Sequence, residues 1–241
     1  MILARPRAVA HRLYRRLMRD RSGVAMIEFA MAMPLVLGVG CYGLETANLA
    51  LINLRISQIA LALADNASRV GTYSGLTSQQ LREVDVNDIF AAARYQGNGI
   101  NLTTNGRIIL SSLENVQQSY DTAAVQRIHW QRCLGAKSGT GYDSTYGTTT
   151  TAAGTTATLT NAGTTSTGMG DASAQVDAPG GSGVMFVEVN YLTKPLFGNW
   201  LTSPARIHYV ASFIVRDRRD FSQIFNPGTG ATRMTCDKYT T

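Results

Sequence analysis

Between Val24 and Leu44 the chain runs for 21 residues with a single charged side chain, Glu28. As a helix rising about 1.5 Å per residue, this stretch is about 31 Å long, the thickness of a bilayer's hydrocarbon core. A cleaved secretory signal is the rival reading, but its apolar core covers only about 7–15 residues and a small-residue cleavage site follows it directly. Here the run is longer and the chain continues in a helical pattern beyond Leu44. Residues 24–44 are therefore expected to form a transmembrane helix.

Charge placement supports the same reading. The net charge of +6 and the pI near 9.4 would suit a nucleic-acid partner if the cations covered a folded face. They do not. Arg5, Arg7, Arg12, Arg15, Arg16, Arg19 and Arg21 face one acid, Asp20, within residues 1–23, and the remaining basic and acidic residues balance. Arginines gathered just ahead of an apolar span mark its cytoplasmic side. Residues 1–23 are expected to be a basic cytoplasmic leader, with everything after Leu44 across the inner membrane of a bacterial envelope; no nucleic-acid partner is expected.

The helical pattern outlasts the span. Leu44, Ala47, Leu51, Leu54, Ile56, Ile59, Leu63 and Val70 recur mostly at three- and four-residue intervals, with Asn48, Arg55, Gln58, Asp65 and Arg69 between them. This predicts one helix from about Val24 to Val70, with residues 45–72 as its amphipathic extension and Gly71-Thr72 ending it. Pro34 removes one backbone hydrogen bond inside the membrane half, so a bend or loosening is expected there.

Glu28 is the most informative single residue. A carboxylate within a bilayer costs at least a few kcal/mol unless it is paired or protonated. Five positions into the span it can stay partly wet, which is the plain explanation. The sharper one is its register with Gly23: a cut after Gly23 would free an amine at Val24, four residues from Glu28, and the two charges could neutralise each other between neighbouring helices.

The stretch Arg21-Ser22-Gly23-Val24-Ala25-Met26-Ile27-Glu28-Phe29, behind a basic leader and ahead of an apolar helix, resembles the processing site of a type IV prepilin. More narrowly, Gly23 through Pro34 resembles the TadE-like proteins of tight-adherence (Tad, or Flp) pili. Val184–Phe197 and Arg206–Arg216, closing on Val215-Arg216-Asp217-Arg218-Arg219, more loosely resemble the C-terminal part of that family. The resemblance implies a minor pilin or pseudopilin whose leader is removed by a membrane aspartyl peptidase. Gly23 would then be the last leader residue, Val24 the new N-terminus, and Glu28 the acid that registers one subunit on the next. Main pilins of this system are far shorter than 241 residues, which implies an accessory role in assembly or initiation. Expected partners are other pilins, Tad assembly proteins, the prepilin peptidase and the inner membrane, with no small-molecule substrate. Gly38, Gly40 and Gly43 would let pilin helices approach closely. The alternative is an unprocessed single-pass anchored subunit of the same machine; a tethered periplasmic enzyme is a third class.

Residues 73–241 are expected to form an α+β domain outside the membrane, on the periplasmic side or the pilus surface. Leu76, Leu81, Val84, Val86, Ile89, Phe90 and Ala93 suggest one or two helices over 76–94, capped by Thr77-Ser78, and Gly97-Asn98-Gly99 a turn. Arg107–Leu113, Val125–Leu134, Val184–Leu192 and Ile207–Arg216 alternate as strands of an antiparallel sheet, one face buried against the helix, the other wet or covered by a helix. Trp130, Tyr191, Phe197, Trp200 and Phe213 are the expected core aromatics. Residues 135–183, crowded with Thr, Gly, Ser and Ala, have little apolar surface to offset ordering entropy and are expected to be a flexible insertion, with a stack of short Thr-rich strands or an O-glycosylated surface loop as the alternative.

Chemistry is sparse. There is no HExxH, no GxSxG and no dinucleotide turn, and Ala136-Lys137-Ser138 has alanine where a phosphate loop needs glycine. His11, His129 and His208 are scattered through leader and strands, and Arg216–Asp220 is read as a solvated, self-paired charge run. No catalytic residue, metal or cofactor is expected. Cys41 lies in the apolar run; Cys133 and Cys236 can bridge in an oxidising compartment or remain two unrelated thiols.

Overall fold

The computed structural model describes residues 6–20, 22–73, 75, 77–227 and 230–241. Leu76, read above as part of a helix over 76–94, lies outside the described residues. The elements in chain order are α1 (Pro6–Arg19), α2 (Ser22–Arg69), α3 (Glu83–Gly97), α4 (Leu102–Asn105), β1 (Gly106–Val116), β2 (Val125–Leu134), β3 (Thr164–Thr165), β4 (Ser182–Leu192) and β5 (Arg206–Ile214). The chain divides into two compact units, Met1–Asn48 and Leu49–Thr241, and α2 contributes to both.

In the first unit, α2 passes through Pro34 without interruption. Residues 24–37 are all exposed, and this is the helix long and apolar enough to cross a membrane.

In the second unit, the remainder of α2 packs on an antiparallel five-stranded sheet of order β3-β2-β1-β4-β5, giving the α+β fold. Ile52, Ile56, Ile59, Leu63 and Ala67 form one stripe of α2, buried against Leu110, Trp130, Val187, Val189 and Tyr191. Each isoleucine so buried contributes about 1.5–3 kcal/mol relative to exposure. The helix ends one residue before Val70. Arg219 donates to the carbonyls of Ala67 (3.0 Å) and Val70 (2.8 Å), two of the acceptors a helix end leaves without partners. Gly71 follows at φ +154°, where a Cβ would lie 2.5 Å from the Gln79 side chain.

The helix expected over 76–94 begins only at Glu83. Gln79 and Leu81 are buried, and the backbone there is extended: Gln79 N donates to Arg218 O, Asp220 N to Gln79 O and Phe225 N to Leu81 O. That pairing leaves Thr77-Ser78 no helix to cap. Instead Asp85 accepts from the Arg82 backbone N–H at 3.0 Å and fixes the first turn of α3.

Two further expectations are corrected. Most of the sheet face opposite α2 is covered by the segment 135–181, and the edge strand β5 leaves Arg206, His208 and Ile214 exposed on that side. Met169 and Ala178 are buried in it and pack with Leu113, Ile128, Val184 and Phe186 in a second core. The segment is also folded rather than a loose insertion. Its backbone pairs internally, as in Met169 N to Val176 O and back, and Thr164–Thr165 adds β3 to the sheet beside Arg127 and Ile128. Among the aromatics, Trp130 and Tyr191 are in the core and Phe213 at its margin, whereas Phe197 is half-buried outside it and Trp200 is exposed on the β4–β5 connection.

Candidate functional site

The residues singled out for assembly sit together on the first part of α2. Gly23, Val24 and Glu28 occupy its first two turns and are exposed, and Glu28 has no partner among the described residues. At about 100° per residue, Glu28, Ala32, Val39 and Gly43 fall within an arc of about 60°, and Gly40 and Gly38 lie off it on opposite sides. A Cβ at Gly38, Gly40 or Gly43 would meet nothing within 4 Å. Val24, Ile27, Phe29, Leu35, Val36 and Val39 are exposed around them. Apolar side chains at this density with no packing partner form a surface for lipid or for other helices.

Cys133 and Cys236 are joined as a disulfide, and Cys41 is free. The bridge ties the C-terminal tail to β2. Cys133 N donates to Met234 O and Gly135 N to Thr240 O. Arg107, fully buried, secures the tail from β1 by donating to the carbonyls of Gly135 (2.8 Å), Cys236 (2.6 Å) and Lys238 (2.7 Å). Its guanidinium also lies 4.4 Å from the Tyr239 ring centre. Burial pushes the Arg107 pKa down against the raising influence of Tyr239, Asp143 and Asp237. Beside the bridge a cavity of about 340 Å³ is lined by Gln131, Asp143, Ser144, the Thr148–Thr151 run and Asp237.

The domain buries an unusual number of charges. Arg132 of β2 and Glu83 of α3 are fully buried and form a two-pronged ion pair, Arg132 Nε to Glu83 Oε2 being 2.9 Å; Arg233 makes a longer ionic contact with Glu83 at 3.4 Å. Glu114 accepts from Ser112 at 2.6 Å and lies 2.8 Å from His129 Nδ1. Burial pushes the His129 pKa down, but the charge and hydrogen bond of Glu114 outweigh it and the net shift is upward. On the opposite face, Glu188 accepts from Ser144 Oγ and Thr145 N, and burial raises its pKa against those bonds.

A carboxylate holding a histidine is a catalytic arrangement in some enzymes, so its surroundings matter. His129, whose Nε2 is buried without a hydrogen-bond partner among the described residues, lines a space of about 10 Å³ together with Leu81, Trp130, Arg219 and Phe221. That volume holds about one water molecule and no organic substrate. His208 is paired to Asn190 at 2.7 Å and to the Tyr146 hydroxyl at 3.2 Å, within the covering segment's contact with the sheet. His11 is exposed on α1. Among the described residues, no three His, Cys, Asp or Glu side chains converge as metal ligands.

The charge run Arg216–Asp220 is corrected at one position. Arg216, Asp217 and Arg218 are exposed, but Arg219 is buried as the α2 cap, and burial pushes its pKa down to about 10, still charged at neutral pH. Glu83, Arg107 and Arg132 are not among the residues that the sequence alone points to. The available signal was charge at core-facing positions of otherwise apolar alternation, as in Ile108-Ile109-Leu110 after Arg107. Compared with family models, with curated proteins and with solved structures, the chain matches none.

Proposed function

We propose that this protein is a minor pilin or pseudopilin of a Tad-type pilus, held in the bacterial inner membrane by the first part of α2 and acting in pilus assembly or initiation. The observation that carries the reading is Glu28: an exposed carboxylate with no partner among the described residues, set in an apolar helix directly after an arginine-rich leader. A charge in that setting must find its counterpart on another chain or at the headgroups. An amine freed at Val24 of a neighbouring subunit is such a counterpart. The bonded cysteines agree with a domain in an oxidising compartment beyond the membrane.

One observation favours a second reading, an anchored subunit that keeps its leader. The Gly23–Val24 bond lies inside the first turn of α2, and a peptidase would have to open that turn to reach it. Mass spectrometry of the native N-terminus separates the two: a chain starting at Val24 supports the processed pilin, and one retaining residues 1–23 supports the anchor. The assembly mechanism is tested by Glu28→Ala in cells that make the pilus. Loss of filaments with normal amounts of protein in the membrane is expected, and wild-type filament yield would remove the mechanism.

A further inference from the structure

The leader carries a second pattern that its net charge hides. α1 contains five arginines and no acid, and within its described side chains the two kinds of residue separate cleanly. At about 100° per residue, Leu13, Leu17, Tyr14 and Met18 cover one arc of about 140°, while Arg15, Arg19, Arg12 and Arg16 cover an arc of about 100° on the other side. All four apolar side chains are exposed. A leader that served only to fix orientation would need its charges in no particular order, since the positive-inside bias depends on their number near the span. Here they are sorted at helical period.

We infer that α1 is an interfacial helix whose occupant is an anionic bilayer surface. The Leu13-Tyr14-Leu17-Met18 face seats in the boundary between headgroups and acyl chains, and the arginine face holds lipid phosphates. This rests on the membrane-span reading of α2. Three things select a lipid surface over other partners. The face pairs a broad apolar arc with a cationic one, the composition that binds an anionic interface. α1 ends at Arg19 and the apolar helix begins at Ser22, so a chain spanning the bilayer holds α1 at its cytoplasmic surface. Finally, Arg15, Arg16, Arg19 and Asp20 border an open concavity of about 380 Å³, roomy enough for a lipid phosphate on the arginine side. Docked this way, the leader lies along the membrane instead of hanging into the cytoplasm, which sets the depth at which the Gly23–Val24 bond is presented.

The test uses the full chain carrying Cys41→Ser, its disulfide intact, with one nitroxide-labelled cysteine at a time replacing Leu17, Arg15 or Val36. Each protein is placed in phosphatidylcholine vesicles with or without phosphatidylglycerol, and label accessibility to oxygen and to a water-soluble nickel chelate is read. In anionic vesicles the label at 17 is expected to be oxygen-accessible and shielded from nickel, and the label at 15 the reverse. Each arginine biases the helix toward the surface by about fivefold, so changing Arg12, Arg15, Arg16 and Arg19 together to Gln should lower the docked fraction several-hundred-fold and erase the contrast at 17. A nickel-accessible label at 17 beside a lipid-embedded label at 36 would overturn the surface helix alone and assign the arginines to a protein partner. A nickel-accessible label at 36 would overturn the membrane span and, with it, this inference.

Discussion

Replacing Glu83 by Gln tests how much of the domain rests on buried charge. Arg132 and Glu83 are both fully buried, and the variant removes the counter-charge, leaving the guanidinium a neutral amide oxygen and its bond to the Gln131 carbonyl at 2.8 Å. An uncompensated buried charge of this kind costs about 3–5 kcal/mol. That is a large part of the roughly 5–15 kcal/mol by which a domain is stable. With a urea dependence of about 2–3 kcal/mol per molar, the unfolding midpoint should fall by roughly 1–2 M. Trp130 is a built-in reporter, since it is buried and its ring lies 5.8 Å from the Arg132 guanidinium, whereas Trp200 is exposed and can be replaced by Phe. The assay is equilibrium urea unfolding of the detergent-solubilised protein followed by Trp130 emission. A matched change of both partners, Glu83→Leu with Arg132→Met, should recover most of the loss, because two apolar groups leave nothing charged to solvate. A midpoint lowered by less than about 0.3 M in Glu83→Gln would refute the reasoning and mean that water reaches Arg132.

Two further predictions concern the same domain. Cys236→Ser opens a loop of 103 residues and should cost about 3–5 kcal/mol, read as a lower unfolding midpoint that reducing agent does not lower further, while the wild type under reductant drops to match it. Because the folded state holds the His129 proton more tightly than the unfolded chain, the stability it contributes is fully present below pH 6.5 and is lost as pH rises through the raised folded pKa. Glu114→Gln should flatten that decline in urea midpoints measured across the range, and an unchanged slope would discount the pair.

What the sequence made legible follows the strength of its periodicity. Val184, Phe186, Val187, Val189 and Tyr191 alternate between two faces, and β4 runs from Ser182 to Leu192. The three- and four-residue spacing of Leu44–Val70 placed the end of α2 within a residue. Order in the segment 135–181 is not legible from its side-chain area, because side chains supply little of what holds it. Its close contacts are made by backbone: Gly163, at φ +82°, lies where a Cβ would be 2.1 Å from the Ile128 carbonyl oxygen, and one at Gly154 would be 2.8 Å from Trp130 Cβ. The many glycines permit close approach to β2, and the threonines bond carbonyls, as Thr164 Oγ1 does to Thr148 O at 2.8 Å. Arg219 was misjudged for a related reason. Nothing in the local run Val215–Asp220 marks one arginine as the cap of a helix some 150 positions away, and that contact exists only after the chain has folded.

The two parts of α2 pose opposite physical problems, and the difference bears on function. From Leu49 onward the helix has its partner: the Ile52–Ala67 stripe is buried against the sheet, and Arg219 fixes its end. Before Asn48 the helix is more apolar, yet Val24, Ile27, Phe29, Leu35 and Val36 have no sheet or helix of the described chain against them. In water, that much exposed apolar surface would drive association, at about 25 cal/mol for each Å² covered. Lipid removes that cost for the apolar residues but not for Glu28, whose charge a bilayer penalises most. A helix selected only as an anchor would gain by losing the carboxylate. A carboxylate there calls for a cation to meet it, and the candidates are a headgroup, within reach of a residue five positions into the span, and the amine of another subunit. Filament loss in Glu28→Ala with undiminished membrane insertion would favour the amine, because removing a headgroup contact leaves assembly untouched.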